Sequence, residues 1–194
     1  PISNTNFAYS GTSPYTLAAM FKSSNIGKTE QCLICRWQNN VAGSYLLRTL
    51  EGVPESYRAG VASYPATGYL IGSSEYQYLV TTYDGSITRT FLDGVQIRVD
   101  TNSTGNNASA AIKTTIGISA DSTRHLEGQI FSAQIYNVAL TQDQIIQNYN
   151  ALLPRAIVSK TSSTLTGWST TSDSSTSVIV GSNGTLLAGL PTPY

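Results

Sequence analysis

The chain has 194 residues, of which 40% are apolar and only 11% are charged, and its formal net charge is zero. This length and apolar content suit a single all-β domain with a core of its own. Because the charge is balanced and no run of Lys or Arg occurs, binding to nucleic acid through its phosphates is not expected. Membrane insertion is not expected either, since no apolar run approaches transmembrane length and the N-terminus shows no signal-peptide pattern.

The first half of the chain consists of short apolar runs separated by turn residues, which predicts β-strands. The run at 14–24 alternates along a strand, so that one face carries Tyr15, Leu17, Ala19 and Phe21. Further strands are predicted at 32–38, 44–50, 57–64 and 69–72, with a loop at 51–56.

The only two cysteines, Cys32 and Cys35, form a Cys-x-x-Cys pair. Such a pair can be redox-active or half of a zinc site, but no second pair exists and His125 is the only histidine. Alternation along a strand would point the two thiols to opposite faces. The sequence therefore predicts two buried free thiols that act as small hydrophobic side chains.

Two Asp-Gly pairs, Asp84-Gly85 and Asp93-Gly94, lie between runs rich in Tyr, Val, Thr, Ile and Phe. Asp-Gly accepts the positive φ angles of a tight type I′ turn, so each pair indicates a β-hairpin. Two hairpins in succession predict a three-stranded antiparallel meander with strands at about 76–83, 86–92 and 95–100.

Two more strands are predicted after the meander, at 111–119 and 128–140. Alternation assigns the core face of the longer strand to Phe131, Ala133 and Ile135.

One short helix is predicted after these strands. Thr141 and Gln144 have capping-box spacing, and the apolar stripe that follows has helical spacing. Its members are Ile145, Ile146, Tyr149, Leu152 and Leu153. Pro154 is expected to stop the helix.

The composition changes after the helix. Residues 155–194 are rich in Ser, Thr and Gly but include strand-like islands, which predicts a C-terminal arm that adds edge strands here or on a neighbouring subunit. Disorder of the whole tail is the alternative. The predicted organisation is therefore a sandwich domain at 1–154 and an arm at 155–194.

Three segments resemble the laminin-G-like branch of the concanavalin A-like lectin/glucanase jelly rolls. They are PYTLAAMFK at 14–22, YQYLVTTYDGSITRTFLDGVQI at 76–97 and LEGQIFSAQIYNVALTQDQIIQNYNAL at 126–152. The last segment is the most specific because of its Tyr136-Asn137, whereas Tyr76 stands where the family usually has Trp. The resemblance implies an all-β, antiparallel jelly-roll β-sandwich with one short helix on its C-terminal side.

Relatives with this fold include glycanases, which carry a Glu-x-Asp-x-(x)-Glu string on one strand. Hydrolysis of a glycosidic bond needs two carboxyl groups that flank it, and no such string occurs here. Glu51 and Glu55 are close in sequence, but they flank Pro54 in a predicted loop. No catalytic residues are assigned, and the protein is not expected to be an enzyme.

Calcium is the commonest ligand of the family and is held at the rim of the sandwich by carboxylate and carbonyl oxygens. Asp100, Asn102 and Asp121 lie in or beside predicted loops that could converge at one end. The alternative is that they are solvated loop residues, since no fixed spacing links them. No other cofactor is expected.

Tyrosine is abundant, with twelve Tyr against four Phe. A Tyr or Trp ring offers a flat apolar face to the CH groups of a sugar, and its polar atom can form a hydrogen bond. The candidate glycan-binding residues around the middle strands are Trp37, Tyr45, Tyr57, Tyr64 and Tyr69. The alternative is that several are core or sheet-surface residues, because aromatic residues are favoured in strands.

Two functions are compatible with these patterns. The first is a non-enzymatic structural or interaction protein on an assembled surface, such as a viral capsid decoration or fibre component, whose partners are copies of itself or other capsid proteins. The predicted unpaired thiols, the low charge and the strand-prone tail favour it. The alternative is a free-standing extracellular carbohydrate-binding module that binds glycans. The corresponding locations are the virion surface and the extracellular space.

Overall fold

A computed structural model describes residues 7–9, 11–37, 45–58, 64–73, 75–101, 112–120 and 122–160. The side chains of Tyr64 and of residues 157–160 lie outside that description. The chain forms two compact units, Pro1–Leu153 and Pro154–Tyr194, and the packing described below is that of the first unit.

The described part of the first unit is an antiparallel sandwich of two five-stranded sheets, as predicted. The strands are β1 Tyr15–Ser23, β2 Gln31–Arg36, β3 Tyr45–Leu50, β4 Val53–Arg58, β5 Tyr64–Pro65, β6 Gln77–Tyr83, β7 Thr88–Leu92, β8 Val95–Asp100, β9 Thr115–Ile116 and β10 Gly128–Tyr136. Sheet 1 has the order β10-β1-β6-β7-β8, and sheet 2 has the order β5-β4-β3-β2-β9. The meander predicted from the Asp-Gly pairs is confirmed as β6-β7-β8.

The core lies between the two sheets, where alternate residues of the strands point inward. The predicted inward face of β1 is confirmed, since its residues are buried together with side chains from sheet 2 and from β6. The buried residues of this core are Tyr15, Leu17, Ala19, Phe21, Leu33, Ile34, Tyr45, Leu47, Ile71, Leu79 and Tyr83.

A β-bulge in β2 overturns the prediction of free thiols. The register with β3 shifts between Cys32 and Ile34, so Leu33 and Ile34 both enter the core. Strict alternation is thereby broken, and Cys32 and Cys35 lie on the same face, turned away from the core. Their Cα atoms are 6.1 Å apart and the two sulfur atoms form a disulfide.

A second bulge corrects the core face predicted for β10. The register between β1 and β10 shifts between Met20 and Phe21, and Ile130 becomes the partner of Phe21. Ile130 therefore joins Ala133 and Ile135 against the core, whereas Phe131 meets the ring of Tyr76 edge-on at 6.1 Å. The strand predicted at 128–140 ends at Tyr136, and the chain then leaves the sheet.

The turn between β3 and β4 is shorter than predicted. Glu51 and Gly52 both adopt positive φ, 49° and 80°, as a two-residue hairpin turn requires. The predicted loop at 51–56 is therefore mostly strand, with Pro54 opposite Thr49. Two predicted strands differ from the structure: 69–72 forms no strand, and the described part of 111–119, residues 112–119, contributes only β9. The prediction at 57–64 falls mostly on residues 59–63, which lie outside the described residues.

The single helix of the described residues, α1, spans Gln142–Lys160. Its capping box is confirmed: the Gln144 N–H donates to the Thr141 hydroxyl at 3.3 Å, and the Thr141 N–H donates to Gln144 Oε1 at 3.0 Å. The predicted stop at Pro154 is wrong, because Pro154 lies inside the helix. A proline removes one intrahelical hydrogen bond, which makes continuation costly without forbidding it.

The first turns of α1 lie on the outer face of sheet 1. Ile145 is fully buried, the ring of Tyr149 stacks on that of Tyr78 at 6.4 Å, and the Asn148 amide donates to the Tyr136 hydroxyl at 3.2 Å. The other face of the sandwich, on sheet 2, carries no described helix. Within the described residues no helix has the length and apolarity needed to cross a membrane.

Candidate functional site

Five aromatic residues were predicted as a group, and the four whose side chains are described take three different environments. Trp37 and Tyr57 lie together on the outer face of sheet 2. Tyr69 is 42% exposed in the segment after β5, and Tyr64 belongs to β5 with its side chain outside the described residues.

Tyr45 does not belong to this surface, because strand alternation turns it into the core beside Leu47. Its hydroxyl donates to the Phe7 carbonyl at 3.0 Å. Burial raises the pKa of Tyr45 well above the ordinary range of a phenol. The residue supports the sandwich from inside.

The Trp37–Tyr57 surface is built on the disulfide. Tyr57, Leu46 and Cys35 occupy opposing positions on the neighbouring strands β4, β3 and β2. The disulfide sulfurs and Leu46 are fully buried, and the partly exposed rings of Trp37 and Tyr57 pack against them. The bulge in β2 is therefore what creates a firm apolar base under the two rings.

A chain of alternating charges runs beside these rings, and we call it the ionic strip. Arg48 donates to Glu55 Oε2 at 2.5 Å and to Glu30 Oε1 at 2.6 Å. Glu30 also pairs with Arg124. The guanidinium carbon of Arg124 lies 4.1 Å from the centre of the Trp37 ring, in a cation–π contact that links the strip to the aromatic residues.

The ionic strip corrects the expectation for Glu55. It is not half of an exposed loop pair with Glu51, but a fully buried residue of β4 opposite Arg48. Both Glu30 and Glu55 are held by the same guanidinium. Fixed, paired charges of this kind suit hydrogen bonding to a bound ligand.

Most of the strip was missed from the sequence, although a signal existed. If Glu51 and Gly52 form a two-residue turn, Arg48 must face Glu55 across the hairpin. Pro54, shortly after the turn, favoured the prediction of a longer loop instead, and with that loop the ion pair between the two strands could not be predicted.

Of the three residues predicted as calcium ligands, only Asp100 lies within the described residues. Both carboxylate oxygens of Asp100 accept hydrogen bonds from Arg98, at 2.6 to 3.0 Å. A carboxylate engaged in this way fits a calcium ion poorly. Asn102 and Asp121 lie outside the described residues. Among the described residues, no three His, Cys, Asp or Glu side chains form a group that could hold a metal ion.

Solved structures share this fold at low sequence identity. Domain 4 of AbnA, an extracellular arabinanase from Geobacillus stearothermophilus solved with arabinotriose, has a TM-score of 0.58 and 18% identity, over 72% of this chain and 67% of that one. The CBM40 of the Ruminococcus gnavus IT-sialidase, bound to α2,3-sialyllactose, has a TM-score of 0.57 and 12% identity, over 71% and 83%.

The binding domain of botulinum neurotoxin serotype G has a TM-score of 0.55 and 11% identity. The match covers 76% of this chain but only 39% of the toxin domain. A search of curated protein sequences found no match. At these identities the solved structures show a common fold.

Membership of a family rests on the sequence itself. The model of the concanavalin A-like lectin/glucanases superfamily matches residues 2–146. This range includes every strand of both sheets and the capping box of α1. The chain belongs to the concanavalin A-like lectin/glucanases superfamily.

Proposed function

We propose that this protein is a non-catalytic carbohydrate-binding module and that the Trp37–Tyr57 surface, with the ionic strip, is its glycan site. The observation that carries the proposal is the position of two partly exposed aromatic rings on the outer face of sheet 2, beside fixed guanidinium and carboxylate groups. Aromatic faces hold the CH groups of a sugar, and the charged groups bind its hydroxyls.

The structural neighbours support this choice of ligand class. One was solved with arabinotriose and another with sialyllactose. The paired carboxylates of the strip also support binding over hydrolysis, since neither Glu30 nor Glu55 is available as an independent acid or base while Arg48 holds both.

An extracellular location is part of the proposal. Disulfides persist mainly in oxidising compartments, so the Cys32–Cys35 bond favours a protein that works outside the cytosol. The same bond removes the unpaired thiols that had favoured a virion component.

A glycan array followed by calorimetry on its best ligand tests the site. We expect Trp37→Ala and Tyr57→Ala each to weaken binding about tenfold, which corresponds to ~1.4 kcal/mol for a lost aromatic contact. Tyr69→Ala is the control, because it removes an exposed tyrosine that does not belong to the Trp37–Tyr57 surface, and it should leave the affinity unchanged. Folding of each variant is checked by thermal unfolding. The proposal would be contradicted if no glycan on the array binds the protein, or if the folded Trp37 and Tyr57 variants keep the wild-type affinity.

A structural role on an assembled surface such as a virion is the second candidate, and the edge strand β8 favours it. Val95 and Val99 are 60% and 44% exposed there, and exposed apolar edge strands tend to pair with another chain. Light scattering should then show that the full-length wild-type chain forms oligomers and that the double variant Val95→Lys/Val99→Lys is monomeric. Val138→Lys is the matched control, since Val138 is similarly exposed at 48% but lies outside the sheets. A monomeric wild-type chain would exclude this candidate.

A further inference from the structure

A cleft of about 330 Å³ lies on the opposite side of the sandwich from the Trp37–Tyr57 surface. Its walls are the outer face of β6, β7 and β8 in sheet 1 and the segment that leads into α1. Residues from both the meander and this segment line it, including Asp84, Arg89, Phe91, Gln96 and Leu140. The volume is at the small end of the ~300–1,000 Å³ range of ligand pockets.

The polar wall of the cleft is held in place before any ligand arrives. Asp84 Oδ1 accepts from the backbone N–H groups of Ser86 and Ile87, at 3.0 and 2.8 Å, and Oδ2 accepts from Arg89 at 2.7 Å. Burial by itself would raise the pKa of Asp84, but the hydrogen bonds from Arg89, Ile87 and Ser86 outweigh this effect and lower it to about 2. Asp84 is therefore charged near neutral pH, and it cancels the charge of Arg89.

Ligand-binding groups remain available on this wall. Arg89 is about one-third exposed, at 32%, and uses one N–H group for Asp84. Within the part of the chain that the structure describes, its other N–H groups have no hydrogen-bond partner, and the same holds for the exposed Gln96 amide. Thr141 adds a hydroxyl at the rim.

The apolar wall faces these donors and acceptors. Phe91 is almost fully buried at 2% exposure, so only a small part of its ring reaches the surface, beside the partly buried Leu140 and Ala139. A ligand that fits must combine several hydroxyl groups with an apolar CH face. An anion would meet Asp84 and a cation would meet Arg89, so the ion pair disfavours both.

We propose that this cleft is a second binding site, for one neutral sugar residue. Its hydroxyls would bond to Arg89, Gln96 and Asp84, and its CH groups would lie on Phe91 and Leu140. The site uses no residue of the Trp37–Tyr57 surface and is on the other sheet, so the protein would hold glycan chains on two faces. Two weak sites of this kind raise the overall affinity for a branched or repeated glycan.

The test is an NMR titration of the full-length protein with the methyl glycosides of glucose, galactose, mannose, N-acetylglucosamine and arabinose, and with glucuronate as an anionic comparison. The reporters are the Arg89 Nε–H and the Gln96 side-chain amide for the cleft, and the Trp37 indole N–H for sheet 2. We expect at least one neutral glycoside to shift both cleft signals in a saturable way. Arg89→Met should weaken that binding about tenfold or more, as for the loss of hydrogen bonds from a charged group.

Gln96→Ala should weaken binding as well, and it keeps the Asp84–Arg89 pair intact. Gln147→Ala, which removes an exposed glutamine of α1 that does not line the cleft, should not weaken it. Shifts at Trp37 alone would overturn the second site and leave the first one supported. Unshifted cleft signals with every neutral glycoside, a preference for glucuronate, or wild-type affinity in both cleft variants would also overturn it.

Discussion

Replacing Gly128 with Ala is expected to lower the free energy of unfolding by about 3 kcal/mol or more, at the upper end of overpacking effects. Gly128 is the first residue of β10 and pairs with Ser23 of β1. A Cβ atom on Gly128 would lie 2.0 Å from the Lys22 carbonyl oxygen and 2.9 Å from the Ser23 Cα atom. Both are backbone atoms of the paired strand β1, so no side-chain rotation can relieve the contact.

Chemical denaturation of the two proteins measures this effect. Gly27→Ala is the matched control, because the nearest atom to its added Cβ is the Asn25 side-chain oxygen at 3.9 Å. The control should stay within about 0.5 kcal/mol of the wild type. If Gly128→Ala unfolds at the same denaturant concentration as the control, β10 does not approach β1 as closely as described.

Removing the guanidinium from the centre of the ionic strip is expected to have the second large effect. Arg48→Met should lower the free energy of unfolding by about 3 kcal/mol, because it leaves a buried carboxylate without its counterion. Glu55 is fully buried, and its Oε1 atom has no hydrogen-bond partner in the described structure. Arg48 is therefore the only ion-pair partner that the described residues offer it.

A second variant separates the charge from the packing. Arg48→Met/Glu55→Gln removes the buried charge as well, and it should restore most of the lost free energy. Arg89→Met serves as a control for the substitution itself, since the Asp84–Arg89 pair is about one-third exposed and exposed pairs contribute roughly 1 kcal/mol or less. Equal losses in Arg48→Met and Arg89→Met, or no recovery in the double variant, would show that the strip is not a buried charge network.

The strip also connects stability to the proposed function. Arg48 fixes Glu30, Glu30 fixes Arg124, and Arg124 lies over the ring of Trp37. A sugar that binds to Trp37 would therefore meet hydrogen-bonding groups whose positions are set before binding. This reduces the ordering cost of association.

Local patterns in the sequence determined a large part of this fold. Asp93 and Gly94 both adopt positive φ in their hairpin turn, whereas in the other turn only Gly85 does and the Asp84 carboxylate accepts hydrogen bonds from the N–H groups of Ser86 and Ile87. Both turns depend on local residues, so the meander β6-β7-β8 could be predicted without any knowledge of distant residues. The same is true of the capping box at Thr141 and of the alternation of β1. The match of residues 2–146 to the superfamily agrees with these elements.

Only the tertiary structure decided which faces the side chains of β2 and β10 occupy. A bulge depends on how a strand registers with its neighbour, and one extra residue reverses the alternation beyond it. For this reason the sequence misplaced Cys32, Cys35 and Phe131.

The candidate site was predictable to the same limited extent. Aromatic content pointed to Trp37 and Tyr57, but strand pairing had to decide that they share a face and that Tyr45 does not. Besides the hairpin pair of Arg48 and Glu55, the ionic strip joins residues from distant parts of the chain, namely Glu30 and Arg124. Such contacts exist only after the strands have paired, because no local pattern brings residues so far apart in sequence within hydrogen-bond distance.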